Sequence, residues 1–426
     1  MGLIHTVEPS DTDDVADASR DETLLLVTMV RLRQGPRGLQ LDDQTCAGLA
    51  RWAERFKGVV FCGLLMEGDA EDDTSVTWVD VDTLPDSNRL RFLALPFAYK
   101  VGAFSRAYRA TRALLAEEVG KADRLCFTIG CIFGDWGAVG GLEAIRQGRK
   151  FAVWFDRVEY DVLRNTLHTM SFKRRFKERM TLPFMKIYHH YLVRRSSLGL
   201  FQGMDTFNAF AASSSNPACV YDVHTRREDF IAAADVMLKA AQVEAGVPLK
   251  ITYVGRAAAM KGPEDWLRAI HDAVQAGVDL HATWLGDGPL LPQMRSMVDQ
   301  LGLAGQVELV GYVGDRETVL DRLRQSHLFL FCHKTAESPR CLIEALVSGC
   351  PIVGYGAPYP QGLVEGEGGG AFSRMDDFDG LAALIVALDR DRKRLAGLVR
   401  DAAATGRKFD EATLYRKRAG LIAAHA

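Results

Sequence analysis

At 426 residues the chain is long enough for two domains, at roughly 100–200 residues each. Hydrophobic residues make up 48% and charged residues 25%, an ordinary globular composition, and the formal net charge of −3 argues against a nucleic-acid partner, whose domain is usually strongly basic. No apolar run approaches the roughly 20 residues that span a bilayer, and no basic stretch leads into an apolar core at the start, so neither a spanning helix nor a secretory signal is expected.

Residues 8–22 hold seven acidic side chains (Glu8, Asp11, Asp13, Asp14, Asp17, Asp21 and Glu22) with little to bury, which suits a loosely held tail. Thr23 to Val30 is a continuous apolar run, as in a strand covered on both faces. Arg31 to Gln40 reads as a Gly/Pro loop, Leu41 to Phe56 as an amphipathic helix and Gly58 to Leu65 as a second buried strand. Shorter strands are expected at Ser75–Val81 and Leu90–Leu95, a helix at Phe97–Val119 and a strand at Arg124–Ile132. A short helix over Gly140–Gly148 and strands at Phe151–Phe155, Ser197–Gln202 and Ala218–Val223 complete this half. After a boundary within Asp222–Pro248 the alternation restarts, with strands at Leu249–Gly255, His281–Gly286, Val307–Gly311, His327–Phe331 and Pro351–Tyr355. Helices are expected at Pro263–Gln275, Leu290–Leu301, Thr318–Arg324, Phe378–Leu388 and Arg392–Thr405, and an amphipathic segment at Glu411–Ala424 lies beyond the last strand. Strands alternating with helices predict α/β architecture with doubly wound parallel sheets.

The cysteines (Cys46, Cys62, Cys126, Cys131, Cys219, Cys332, Cys341 and Cys350) form no C-x-x-C pair, and several sit in apolar runs as small hydrophobes. A reduced, cytoplasmic protein without a metal centre is the expectation.

Four features of the second half stand in a fixed order. Val254-Gly255-Arg256, followed by Met260-Lys261-Gly262, brings two cations to a strand end. Arg as a bidentate fork and Lys as a point charge suit a diphosphate there. Next come the turn Leu285-Gly286-Asp287-Gly288-Pro289 and the strand end Leu309-Val310-Gly311-Tyr312-Val313. Last, Leu328 to Phe331 runs into a polar loop holding Glu337 and Ser338, and Pro339 opens a helical segment carrying Glu344. Such a corner lies at the carboxyl end of a strand, where open sheets bind ligands and helix N-termini attract phosphate.

In this order the four features resemble the donor-binding domain of retaining family 4 glycosyltransferases of the GT-B fold (glycosyltransferase group 1). The likeness is close over residues 249–365 and holds in outline over the second half. The family pattern runs VGR…KG, GDGP, GxV, then E-x7-E leading into EA-x-A-x-G-x-P-V-V. Here the last part reads Glu344-Ala345-Leu346-Val347-Ser348-Gly349-Cys350-Pro351-Ile352-Val353. The resemblance implies that Arg256 and Lys261 hold the donor diphosphate. Gly255, Gly286 and Gly288 would let backbone approach it, Glu344 would take hydrogen bonds from the ribose, and backbone around Tyr312 and Val313 would face the base. The N–H groups of Ser338, Arg340, Cys341 and Leu342, beside Pro339, would form the helix start. Arg256, Lys261 and Glu337 are the implied catalytic groups, with a nucleotide-diphosphate sugar as donor and neither metal nor cofactor. One departure stands out: the family's two glutamates have seven residues between them, and Glu337 and Glu344 have six, so that Ala336 occupies the register position. Either the loop is one residue tighter and Glu337 still reaches the donor sugar, or that role has moved; the first reading is adopted.

The first half resembles the family less. Its R-L-R-Q-G-P-R-G stretch stands where the family has a Gly-rich turn, so Gly35 and Gly38 are candidates for approach to a phosphate or acceptor. Many members place a His after a later strand of this domain; the nearest stretches here, Gly134-Asp135-Trp136 and Trp154-Phe155-Asp156-Arg157, contain none. Phe172 to Arg195 carries Lys173, Arg174, Arg175, Lys177, Arg179, Lys186, Arg194 and Arg195 against Glu178, with aromatic residues interleaved. It reads either as a solvated helix pair or as a surface for an anionic membrane.

The expectation is therefore a GT-B protein of two Rossmann-like domains facing a cleft: residues 1–223 on the acceptor side, 224–408 binding the donor, and a C-terminal helix over 409–426 packing back on the first domain. Its activity would be retaining, metal-independent transfer of a sugar to a hydroxyl of a glycan, lipid-linked glycan or small molecule, in the cytoplasm or peripherally at the inner face of the membrane. A sugar-nucleotide epimerase, a glycan phosphorylase and a non-catalytic nucleotide-sugar-binding protein are the competing readings. An epimerase needs acid/base carboxylates with a His, which the first half does not show.

Overall fold

A computed structural model describes residues 19–66, 77–167 and 170–426. The acidic stretch at 8–18 and the first residues of the strand expected from Ser75 lie outside them. The chain forms two units, one running through Tyr221 and including Ala412–Ala426, the other Asp222–Glu411.

The first unit holds strands β1 (Thr23–Gly35), β2 (Gly38–Asp42), β3 (Gly58–Leu65), β4 (Trp78–Asp80), β5 (Leu90–Pro96), β6 (Arg124–Thr128), β7 (Ala152–Phe155), β8 (Leu198–Gln202) and β9 (Pro217–Val220). Its parallel part runs β5-β3-β1-β6-β7-β8-β9, with β1, the first strand, in the interior. The apolar run at the start of β1 is explained by two cores. Leu25 and Val27 face one, with Phe127, Trp136 and Phe155, while Leu24 and Leu26 face the other, with Trp52 and Phe61. The C-terminal helix Glu411–His425 completes the second core through Tyr415, Ala419 and Ile422. Tyr415 meets Trp52 edge-on at 5.3 Å, and the buried Arg418 guanidinium lies 3.9 Å from the Tyr415 ring and 5.0 Å from that of Trp154.

Two expectations for this half change. Arg31–Gln40 is a β-hairpin, in which β1 continues to Gly35 and pairs antiparallel with β2, Gly35 opposite Gly38. Leu32 is buried while Arg33 reaches the Gln40 amide at 2.9 Å, the two-residue alternation of a strand, and the Pro36-Arg37 turn only closes the ribbon. Gly35 and Gly38 are thus committed to cross-strand pairing. Phe172–Arg195 is one helix of 24 residues with Pro183 inside it, not a helix pair.

The second unit is wholly parallel: β10 (Leu249–Val254), β11 (Leu280–Leu285), β12 (Val307–Gly311), β13 (Leu328–Phe331), β14 (Ile352–Tyr355) and β15 (Gly370–Ser373). The order β12-β11-β10-β13-β14-β15 walks one way from β10 and then back from β13. That is the Rossmann order, and its switch point lies between β10 and β13. Strand β15 was not foreseen: G-A-F-S is short, glycine-led and without alternation. Tyr253, Trp284 and Trp266 anchor the core, Tyr253 and Trp284 with ring centroids 4.0 Å apart and the Trp266 indole donating to the Leu330 carbonyl at 3.1 Å.

Candidate functional site

At the switch point the loops leaving β10 and β13 are joined backbone to backbone. Gly262 closes the first loop with φ 62°, and a Cβ there would stand 2.2 Å from the Cys332 carbonyl oxygen, so only glycine admits the approach. The Lys334 N–H donates to the Met260 carbonyl at 2.9 Å. Beneath them the Tyr253 hydroxyl and His333 Nε2 are 2.8 Å apart, both side chains buried. Burial, and then the Lys261 charge, holds the His333 ring well below its ordinary protonation range, so it stays neutral.

This frame sets Lys261 against Glu337. The ammonium pairs with Oε2 of the carboxylate, and the Thr335 hydroxyl donates to Oε1 at 2.7 Å. The two side chains keep 16% and 21% of their surface exposed, so the pair sits at the rim of the loops and remains open to a ligand. Arg256, two residues past the end of β10, is exposed, and no ion pair or side-chain hydrogen bond ties it to the described residues. Lys334, in contrast, is held by Asp265 at 2.7 Å and Asp376 at 3.2 Å.

The loop after β11 packs tightly on that after β10: a Cβ at Gly286, where φ is 148°, would lie 2.0 Å from the Gly255 carbonyl oxygen. Gly288 follows, its N–H donating to Asp287 Oδ1 at 2.7 Å. Tyr312, just past the end of β12, projects with 63% of its surface exposed, and Val313 comes next.

Helix Arg340–Val347 starts after Pro339, whose side chain offers no cap. Arg340 is paired with Asp222 at 2.5 Å. Burial pushes the Cys341 thiol up to about 12, so it is no nucleophile at neutral pH. Glu344, one turn into the helix, has its Oε1 4.0 Å from Arg316 Nε. Arg316 gives its fork to Asp229 instead, at 2.9 and 2.8 Å. Burial therefore raises the Glu344 carboxyl above its ordinary range, while Arg316, Arg340 and His224 pull the other way. The sequence did not point to Tyr253, His333, Thr335 or Arg316. Thr335 and His333 stand in the same stretch of sequence as Glu337, and that proximity is the signal they offer.

In the first unit, Asp135 caps helix Trp136–Arg146 and accepts from the N–H groups of Gly130, Cys131 and Ala138 at 2.7, 3.0 and 2.8 Å. It is fully engaged in local structure. Asp156 accepts from the Trp154 indole at 2.7 Å. Among the described residues no group of three or more His, Cys, Asp or Glu side chains could hold a metal ion, and no helix is long and apolar enough to cross a membrane.

Comparison with known proteins bears on the same region. Residues 238–404 match the family model of glycosyl transferases group 1. The chain is 23% identical over 193 residues to the alpha-D-kanosaminyltransferase of Streptomyces kanamyceticus, covering 44% of this chain and 50% of that protein. It is 28% identical over 185 residues to the putative colanic acid biosynthesis glycosyltransferase WcaL of Escherichia coli (strain K12), covering 42% of this chain and 45% of that one. The chain thus spans about half the length of these curated relatives. Among solved structures, Anabaena Alr3699/HepE in complex with UDP shares the fold at a TM-score of 0.64 and 16% identity, over 93% of this chain and 98% of its own.

Proposed function

We propose, from the match of residues 238–404 to the family model of glycosyl transferases group 1 and from the GT-B fold of the chain's two Rossmann-like units, a retaining glycosyltransferase that moves a sugar from a nucleoside-diphosphate sugar to a hydroxyl acceptor. The observation that carries this reading is the pairing of Lys261 with Glu337 at the carboxyl edge of β10 and β13, the switch point of the sheet, with Arg256 on the loop that leaves β10.

In this reading the donor diphosphate lies across the ends of β10 and β13, with Arg256 and Lys261 on its oxygens. As the bond from the anomeric carbon to the phosphate oxygen breaks, negative charge grows on the leaving diphosphate. Two cations already in place stabilise it without reorganisation. The acceptor oxygen forms the new bond on the same face of the sugar, and its proton passes to the departing phosphate oxygen. Lys261 leaves Glu337 for the phosphate, which frees the carboxylate to accept from donor-sugar hydroxyls. Glu344 takes the ribose hydroxyls, and backbone at Tyr312 and Val313 borders the base. The unit through Tyr221 holds the acceptor. The charge work is assigned to side chains rather than to a metal. The cysteines lie apart in the sequence without a C-x-x-C pair, which suits a reducing compartment, and we place the enzyme in the cytoplasm.

The test is turnover of a panel of nucleotide sugars with simple hydroxyl acceptors, followed by the anomeric proton coupling of the product. Transfer with the donor's own anomeric configuration is expected. An inverted product would remove the retaining mechanism, and donor binding without turnover of any acceptor or water would remove the enzyme.

A further inference from the structure

Helix Phe172–Arg195 is longer than the layer it covers. Its 24 residues extend for about 36 Å, whereas β7 and β8, between which it and helix Glu159–Thr166 lie in the chain, have four and five residues and span roughly 13–17 Å. The helix runs back toward the start of β8, so its first half projects past the carboxyl edge of the sheet. Burial agrees: Met185, His189, Leu192 and Val193, all in the second half, are its buried residues.

On the outer face stand Phe172, Phe176, Met180, Phe184, Ile187 and Tyr191, with 82, 65, 55, 66, 68 and 43% of their surfaces exposed. At 100° per residue these six fall within an arc of about 120°, opposite the buried face. A helix with a second, exposed apolar stripe is not accounted for by packing in its own unit, since the stripe points away from the core. Lys173 lies within the arc, Lys177 flanks one side and Arg179 the other; none of the three has a side-chain partner among the described residues. The helix's one carboxylate, Glu178, lies on the back.

We propose that this projecting stretch docks on an anionic lipid surface, with Phe172, Phe176, Met180 and Phe184 entering the headgroup–acyl boundary and Lys173, Lys177 and Arg179 contacting lipid phosphates. The occupant is assigned by charge. On a chain of net charge −3, the exposed stripe is lined by cations alone, the complement of an anionic leaflet. This inference stands on the helix and does not depend on the donor-site reading.

The test is co-sedimentation of the full chain with phosphatidylcholine vesicles and with mixed phosphatidylcholine–phosphatidylglycerol vesicles, at low and high salt. The wild type is expected to pellet with the mixed vesicles at low salt and to remain soluble with phosphatidylcholine alone. Phe176→Asp with Phe184→Asp is expected to abolish pelleting, and Lys177→Ala with Arg179→Ala to reduce it about thirty-fold. All four positions are exposed, so thermal melts of the variants should match the wild type and exclude misfolding. Equal pelleting with both vesicle types, or an aspartate variant that pellets like the wild type, would overturn the proposal. So would a wild type that ignores lipid and is dimeric by light scattering while the aspartate variant is monomeric, because a second copy would then cover the stripe.

Discussion

Lys261 and Glu337, 76 residues apart in the chain, form an ion pair that ties the loop after β10 to the loop after β13. The pair joins the cation expected to hold the donor phosphate to the carboxylate whose register in the sequence is one residue short. Glu337 reaches Lys261 even so, because the Thr335 hydroxyl holds its other oxygen and the loop is anchored at Lys334.

A competing carboxylate has a measurable consequence. Glu337→Gln keeps the shape and the Thr335 contact but removes the charge that Lys261 now neutralises. Nucleoside-diphosphate affinity should rise several-fold while kcat for transfer falls about 100-fold, the signature of a group that serves the transition state. Calorimetric titration alongside steady-state kinetics measures both. A parallel loss of binding and kcat would place Glu337 in the fold of the loop alone.

Glu344 should impart a pH dependence to nucleoside binding. Its carboxyl is raised by burial, so protonation begins at a higher pH than for an exposed glutamate, and the protonated form is the poorer acceptor for two ribose hydroxyls. Affinity for the nucleoside diphosphate should therefore fall on mild acidification. In Glu344→Gln it should be weaker and nearly flat over the same range. Identical profiles for the two proteins would separate Glu344 from the ribose.

Gly262→Ala tests the joint between the two loops. The new Cβ would meet the Cys332 carbonyl at 2.2 Å in a left-handed backbone conformation. A loss of about 2–4 kcal/mol in urea unfolding is expected, together with weakened diphosphate binding. Wild-type stability would mean that the loops do not meet as described.

Lys239 is buried, and its ammonium donates to the Leu323, Ser348 and Gly349 carbonyls at 3.3, 2.9 and 3.1 Å. It thereby caps the carboxyl ends of helices Arg316–Gln325 and Arg340–Val347, the latter being the Glu344 helix. Burial lowers its protonation to about 8, still charged at neutral pH. Lys239→Met strands three carbonyls, and a loss of about 2–4 kcal/mol in denaturant unfolding is expected.

In the first unit, His189 is buried against Phe155, Tyr160 and Phe210, and burial lowers its protonation to about 4. The unfolded ring takes its proton near 6.5. Between these values the unfolded chain binds more protons, so the His189 contribution is complete above 6.5 and is lost as pH falls toward 4. Over that window the unit should lose on the order of 2–3 kcal/mol, and His189→Phe should flatten the acid limb. An unchanged acid limb would mean that His189 is charged or solvated in the folded state.

Much of this architecture is legible in the chain because its signals are local. Leu24 to Val27 announces a strand covered on both faces, Pro263–Gln275 is a helix from its first residue to its last, and the Pro339 corner follows its strand as expected. What escaped was either short or distant. Strand β15 has four residues and no alternation, and the β1–β2 hairpin was hidden by its Gly and Pro. The Arg316–Asp229 fork spans 87 positions and the Tyr253–His333 contact 80, and no local pattern links such partners. The turn residues of the 31–40 stretch mask the Leu32/Arg33 alternation beside them.

The most direct test of the donor site is calorimetric titration of the full chain with a panel of nucleoside diphosphates, repeated with Lys261→Ala and Arg256→Ala. One diphosphate should bind the wild type, each substitution should weaken it at least about tenfold, and both variants should still unfold cooperatively from a folded state. A chain that binds none of the panel, or a Lys261→Ala variant that binds as tightly as the wild type, would contradict a diphosphate site between β10 and β13.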